Sequence, residues 1–439
     1  MKGVLLEIFD EAAYNFTVPK FNRTLVLDAN KQKVQTIIGP RRAGKSSLLK
    51  LSIHKLLKDG IDKSQICYLP LEDERLRGEA FEPDLILQAF RELHPEKKSL
   101  KDTYFFFDEI QYLDKWEAFI NRIHEQVSRK VVITGSNSKM LHTEVSSVLR
   151  GRGLPLELLP LSFAEYLTFR NITFKAHGVG KSQVMAAFND YLLWGGFPEI
   201  ALADPVDQRP LLQEYFNTLL YRDVIDLQQP ANYSYLRYLF HRIAGNTGKT
   251  IALRKIYLEL KSRGYAVSQG SLYQMADLAE SVYLYKRISR FDPSLIKREN
   301  SDKKSYFTDN GMLHAIDNSF STNKGTLLEN LVFWHLYRNH GNVYTTDIYY
   351  YSDQHHECDF LLYREGGKVL PVQVCWQMTE EKTRQRELKS LVKACKQTDS
   401  RKGIIITYDE ENRFNYQDID VYLIAAWKWC ASPIDLYSL

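Results

Sequence analysis

Residues 34–50 read VQTIIGPRRAGKSSLLK, and this stretch decides the first fold. A short β-branched run, Val34 to Ile38, leads into Gly39-Pro40-Arg41-Arg42-Ala43-Gly44-Lys45-Ser46-Ser47 and then into a helical pattern reaching about Leu57. The spacing satisfies GxxxxGK[ST] without a mismatch, in the strand–loop–helix setting that the motif requires. Its residue types have physical reasons. Gly39 and Gly44 permit backbone angles that turn successive N–H groups inward around phosphate oxygens, and the following helix N-terminus adds partial positive charge. The Lys45 ammonium suits the β- and γ-phosphates, and the Ser46 hydroxyl suits Mg²⁺. The reading is therefore an ATP site with Mg²⁺ as its metal.

Such a site also needs a carboxylate at the end of a buried strand. Tyr104-Phe-Phe-Phe-Asp108-Glu109 supplies it, because four successive apolar residues suit a strand covered on both faces of a parallel sheet. Asp108 is the expected metal-side carboxylate and Glu109 the base for water. A third run, Lys130 to Asn137, ends in Thr-Gly-Ser-Asn, where Asn137 is a candidate for the γ-phosphate or the attacking water. An ordinary strand exit reads the same way. Leu149-Arg150-Gly151-Arg152 places two guanidinium groups, Arg150 and Arg152, on a Gly-containing loop as arginine-finger candidates; the alternative is a solvated basic turn.

Gly39–Ser46, FFFDEIQ (105–111), TGSN (134–137), RGR followed by LPLELLPLSFAEYL (150–167) and YLLWGGFPE (191–199) together resemble one prokaryotic family. Its members are AAA-type ATPases with a C-terminal domain of unknown function, number four-one-four-three. The resemblance implies ATP binding and hydrolysis, a lid beside the nucleotide, and a homo-oligomeric or partner-dependent active site. Within the lid, Arg222 and Asp223 are candidates to contact the nucleotide or a neighbouring subunit, with a surface ion pair as the alternative. It also favours Arg152 over Arg150 as the finger.

The rest of the chain carries two further patterns. Helical periodicity runs from Ser162 to about Gln229, broken at Gly195-Gly196-Phe-Pro198. Gly245-Asn-Thr-Gly248-Lys-Thr250 imitates a second phosphate loop but lacks two spacer residues, and we reject it. An amphipathic run (251–264), a turn, a Ser268-capped helix and two β-prone runs follow the order of a winged helix. Between Lys249 and Lys304 lie 12 basic and 6 acidic residues, which points to double-stranded DNA as a possible partner, with a protein-binding module as the alternative. Beyond it, Glu329 on a helix and Asp359 at the head of an apolar strand resemble a restriction-endonuclease-like domain. The expected (D/E)xK element falls on Gln373-Val-Cys375, so cleavage is not expected. His355–Asp359 is a poor zinc site, since neighbours on a strand point to opposite faces. The last strand is read at Gly403–Tyr408.

The resulting architecture is α/β: a P-loop NTPase parallel sheet (1–165), a helical lid (166–235), a winged-helix module (236–318) and a small, degenerate nuclease-like α/β domain (319–439). The 439 residues carry 58 Lys and Arg against 54 Asp and Glu, a formal charge of +4, with 44% hydrophobic residues. That is a globular composition. No apolar run approaches the ~18–20 residues of a membrane helix. MKGVLLEIFDEAAYNF makes a poor export signal. Five scattered cysteines without a CxxC pair suit a reducing cytoplasm.

Overall fold

A computed structural model provides the structure and describes residues 1–14, 23–76, 81–135, 151–225, 234–317, 323–340, 347–364 and 366–439. The chain divides into two units, Met1–Leu159 and Pro160–Leu439. In the first, α1 (Lys2–Tyr14) precedes β1 (Val34–Ile38), α2 (Lys45–Lys58), β2 (Ile66–Pro70), α3 (Asp84–Leu93), β3 (Tyr104–Asp108), α4 (Trp116–Arg122), β4 (Val131–Gly135) and β5 (Gly153–Glu157). All five strands are parallel, in the order β2-β3-β4-β1-β5. Every residue of β1, β3 and β4 is buried, which is why these strands read as nearly unbroken apolar runs. Ile37, Phe106 and Val132 pack on Leu49 and Ile53 of α2. Phe105 and Phe107 stack with each other, Phe105 reaching Phe90 of α3 and Phe107 reaching Phe119 of α4. Because the strands are parallel, the carboxyl ends of β1, β3 and β4 share one edge, where ligands of open α/β sheets bind.

The second unit begins with α5 (Phe163–Phe169), started by a reciprocal cap between Ser162 and Glu165. It continues through α6 (Gly178–Trp194), α7 (Pro198–Leu202) and α8 (Pro205–Thr218), which widens into a π-helical turn at Leu219–Ile225. Next come α9 (Ser234–Ala244), β6 (Thr250–Ile251), α10 (Leu253–Ser262), α11 (Gln269–Ser281), β7 (Tyr285–Ile288), α12 (Leu295–Glu299), β8 (Lys303–Phe307) and α13 (Asn310–Ile316). Strands β6, β8 and β7 form a small antiparallel sheet in that order. Gly245–Thr250, the rejected phosphate-loop imitation, is a turn into β6 and does not open a helix.

The chain ends with α14 (Lys324–His340), β9 (Ile348–Ser352), β10 (Glu357–Arg364), β11 (Lys368–Val374), α15 (Glu381–Gln397), β12 (Lys402–Thr407), β13 (Asn412–Tyr416), β14 (Ile419–Ala425) and α16 (Ala426–Ala431). Their sheet is mixed, in the order β13-β14-β12-β11-β10-β9. The strand at 403–408 is thus not the last. A hairpin turning at Gln417 and Asp418 (φ 51° and 65°) adds β13 and β14, and β14 pairs parallel with β12.

The glycine pair of WGGFPE has a partner far along the chain. Gly195 (φ 78°) lies so close to Asp309 that a Cβ there would sit 1.7 Å from Asp309 Oδ1. Asp309 accepts the Gly196 N–H at 2.7 Å through Oδ2 and the Gly311 N–H at 2.8 Å through Oδ1. Pro198 then opens α7, where its missing N–H costs nothing. The break between α6 and α7 is therefore a built joint to α13.

Candidate nucleotide-binding site

The loop after β1 can hold its shape only with the residues it has. A Cβ on Gly39 (φ 151°) would lie 2.1 Å from the Leu158 carbonyl oxygen. Gly44, at φ 96°, is the N-cap of α2 and places no side chain over its first turn. Arg42 is also left-handed at φ 63°. Arg23 ties the loop down: one guanidinium nitrogen donates to the Ala43 carbonyl at 2.7 Å and the other to the Leu159 carbonyl at 2.7 Å. Arg41 lies 3.7 Å from Glu72 and donates to the Tyr112 hydroxyl at 3.3 Å. Pro40 and Ala43 are buried, and Ser47 is exposed on α2.

The chemistry-bearing residues converge on this loop. Lys45 is buried, donating to the carbonyls of Gly39 (3.1 Å) and Pro40 (3.2 Å), with its ammonium 3.5 Å from Glu109 Oε1. Asp108 and Glu109 are buried at the end of β3. Thr134 of β4 binds both, donating from Oγ1 to Asp108 Oδ1 at 2.6 Å and accepting the Glu109 N–H at 2.8 Å. Tyr68 of β2 donates to Asp108 Oδ2 at 3.4 Å. Burial pushes the Asp108 carboxyl above its ordinary range; hydrogen bonds from Thr134 and Ser46 and the Lys45 charge oppose that rise. Glu109 is left-handed at φ 53°, a conformation costing about 1–3 kcal/mol for a residue with a Cβ. Gln111 holds its Oε2 at 2.6 Å.

Arg152 stands apart from these groups. It precedes β5 at the amino end of the sheet, where its carbonyl accepts the Val34 N–H at 3.0 Å, and its guanidinium pairs with Glu125. The length of β1, about 13 Å, separates that edge from the loop. Asn137 and Arg150 lie outside the described residues, as do the side chains of Arg222 and Asp223. Thr134, Tyr68 and Arg23 were not anticipated. Thr134 had a signal as the first residue of TGSN, whereas Arg23 had none.

A family model described as an AAA domain matches residues 31–167. Two described as domains of unknown function, DUF8612 and DUF4143, match residues 185–323 and 324–427. The uncharacterized protein MJ1544 of Methanocaldococcus jannaschii is 33% identical over 441 residues, covering 98% of this chain and 95% of that protein. The chain belongs to the prokaryotic AAA-type ATPases that carry a DUF4143 domain. An uncharacterized protein of Haemophilus influenzae is 28% identical over 399 residues, 90% of this chain and 94% of that one. Among solved structures, the Walker-type ATPase PABY2304 of Pyrococcus abyssi aligns with a TM-score of 0.41 at 14% identity, over 68% of this chain and 98% of that one. The DUF4143 match begins at 324, so α9 to β8 lie within the DUF8612 match.

In this member of the family the residues read as nuclease-like are placed as follows. Asp359 is buried in β10; its N–H donates to Gln373 Oε1 at 3.2 Å, and its Oδ2 accepts the Val374 N–H at 2.9 Å. Gln373 in turn donates to Glu387 Oε2 of α15 at 2.7 Å, a carboxylate the sequence reading did not pick out. Cys375 is buried, its thiol pushed up to about 11 by burial, and it donates to the Gln377 carbonyl. Among the described residues no group of His, Cys, Asp and Glu is arranged to hold a metal, and no helix is long and apolar enough to cross a membrane. All five cysteines are buried free thiols.

The basic segment is partly spent inside the protein. Arg287 binds Glu280 and Asp277, and Lys303 pairs with Glu299. Helix α11 has no lysine or arginine. The loop between β7 and β8 lies on β9: the Phe291 N–H donates to the Tyr350 carbonyl at 2.8 Å, and the Tyr350 N–H to the Ser289 carbonyl at 3.2 Å.

Proposed function

We propose that this protein binds Mg·ATP at Gly39–Ser46, hydrolyses it slowly, and works as a nucleotide-controlled switch. The observation that carries the reading is the buried Lys45 ammonium, shared between two carbonyls of its own loop and Glu109. An ammonium so placed has a triphosphate as its natural replacement partner. The backbone N–H groups of Arg41 to Ser47 would cradle the phosphates, and Lys45 would turn from Glu109 to the β- and γ-oxygens. Glu109, released, would take the proton of the attacking water, with Gln111 and Thr134 fixing its position. The Ser46 hydroxyl and Asp108 are oxygen donors of the kind Mg²⁺ takes, and bound Mg²⁺ would neutralise charge on the phosphates. Asn137 is assigned to the γ-phosphate side. Arg152, a sheet's length from its own loop, would act on a neighbouring subunit.

Lys45→Ala tests the reading by nucleotide binding and turnover: binding should be lost, and wild-type binding and hydrolysis would sink the proposal. Glu109→Gln should retain ATP without cleaving it. If Arg152 serves a neighbour, turnover per chain should fall on dilution; a flat value removes that assignment.

A second reading keeps ATP as a conformational ligand and makes the DUF8612 segment, as a winged helix, a contact for duplex DNA within residues 249–304. It is favoured by the exposed cations Lys249, Arg254, Lys255, Lys261 and Arg263 on and beside α10. Lys255→Glu with Lys261→Glu should then weaken binding and lower the salt slope by about 2. Binding that ignores salt refutes it.

A further inference from the structure

Lys304 of β8 ends where no solvent reaches. Its relative exposure is 0%, and its ammonium lies 2.7 Å from Glu357 Oε1, 3.3 Å from Asp359 Oδ1 and 3.6 Å from Glu329 Oε1. The lysine comes from the small antiparallel sheet, and all three carboxylates come from the DUF4143 domain. The surroundings complete the enclosure. Tyr306, two residues along the same strand, donates its hydroxyl to Glu329 Oε1 at 2.8 Å. Gly248 (φ 74°) backs onto Glu329, where a Cβ would sit 2.7 Å from Oε2. The Tyr350 ring lies 5.6 Å from the ammonium.

Burial alone would strip the proton from such a lysine, but the surrounding carboxylates more than reverse this, and its pKa rises well above the ordinary range. Burial also raises both deep carboxyls: Asp359 upward, and Glu329 to about 8, the latter further raised by Asp359 and held back by Lys304. Carboxylates in such a group need a cation among them or must take up protons. A lysine that assists metal-dependent cleavage leaves the carboxylate oxygens free for the ion. Here the three donors of one ammonium have three carboxylates within reach. The position that the nuclease outline reserves for lysine is Cys375.

We propose that the Lys304 ammonium is a built-in cation, standing where carboxylates Glu329, Glu357 and Asp359 would otherwise collect a divalent metal ion. It closes the nuclease-like domain to metal and clamps the β6-β8-β7 sheet onto the six-stranded sheet. The inference does not depend on the ATP reading.

The test uses full-length, nucleotide-free protein. Lys304→Met should melt below wild type in EDTA. Millimolar Mn²⁺ or Ca²⁺ should then raise its midpoint by about 5–10 °C, as expected for a ligand well above its dissociation constant. Wild type, Lys304→Arg and Lys304→Met/Asp359→Asn should not show that rise. A Lys304→Met protein that melts like wild type and ignores metal overturns the proposal. Should Lys304→Met fail to fold, Mn²⁺ uptake by wild type and Asp359→Asn, followed by electron paramagnetic resonance, decides the matter. Equal uptake is expected, and a site lost in Asp359→Asn overturns it.

Discussion

Thr134→Val removes one hydroxyl without changing the shape of the side chain, so it isolates what that hydroxyl does between Asp108 and Glu109. In the wild type it donates to Asp108 Oδ1 at 2.6 Å and accepts the Glu109 N–H at 2.8 Å, all three groups being buried. The first bond is made to a charged acceptor and contributes about 1.5–3 kcal/mol; the second, once broken, leaves an orphaned N–H costing about 1–3 kcal/mol. Asp108 is already raised by burial, and Thr134 is the strongest group opposing that rise. Loss of a donor to the charged form raises an acid's pKa further, so more of Asp108 is protonated at a given pH. The carboxylate proposed to serve Mg²⁺ is then less available. Half-saturation by Mg²⁺ in a steady-state ATPase assay should rise about tenfold or more, the equivalent of about 1.4 kcal/mol. The acid limb of the pH–rate profile should move to higher pH, and the melting temperature should fall. Thr134→Ser keeps the hydroxyl and should recover most of the loss. A Thr134→Val enzyme with wild-type Mg²⁺ dependence and an unmoved acid limb would refute the reasoning.

The joint at Asp309 yields a linked pair of effects. Burial pushes Asp309 up to about 6 and pulls His335, in the same small polar cavity, down to about 3. Between about pH 4 and 6 the folded chain holds a proton on Asp309 that the unfolded chain lacks, so this group's contribution falls as pH rises, by about 1.4 kcal/mol per unit. Over the same range the unfolded chain holds a proton that His335 refuses, so its contribution rises with pH and the two oppose. His335→Gln should leave urea midpoints falling with pH relative to wild type, and Asp309→Asn the reverse; parallel curves would show the assignments wrong. Gly195→Ala, with a Cβ 1.7 Å from Asp309 Oδ1, should destabilise the second unit by about 2 kcal/mol or more. Gly178→Ala, also left-handed but in open space, should cost only the backbone strain of about 1–2 kcal/mol, and an effect as large as that of Gly195→Ala in denaturant melts would count against the joint. Arg23→Ala releases the Ala43 and Leu159 carbonyls and should weaken ATP about tenfold with little change in kcat, measured by titration and saturation kinetics.

The parts of this fold that could be read early are those whose physics is local. The phosphate-loop pattern contains its own strand, turn and helix within residues 34–57, and the turn demands glycine because Leu158 leaves no room at Gly39. The run Tyr104–Phe107 is apolar because a central parallel strand is covered on both sides. Partners that meet from afar left no such mark. Arg23 acts on a carbonyl 136 positions away. The Gly195-Gly196 pair announced a break in the chain but not Asp309, which needs those glycines to approach. The β13–β14 hairpin escaped because Gln417 and Asp418 take up the left-handed turn that glycine or asparagine usually signals.

The charge count shows the same limit from the other side. Twelve basic and 6 acidic residues between Lys249 and Lys304 read as an exposed excess of cations, because a window can pair charges only with what it contains. Lys304 has partners at 329, 357 and 359, beyond the window, and is wholly buried. Arg287 and Lys303 are matched within it. The cations that remain exposed lie at Lys249, on and beside α10, and at Arg290 and Lys297 between β7 and β8, whereas α11, the helix a winged-helix reading would send into a groove, exposes Gln269, Tyr273, Gln274 and Asp277. The loop that would form the wing has its backbone engaged by Tyr350 of β9. A surface built in this way can attract phosphate through α10, but α11 brings it no cation with which to hold a phosphate. An electrostatic footprint and a recognition surface are separate properties, and in this segment the exposed cations lie outside α11.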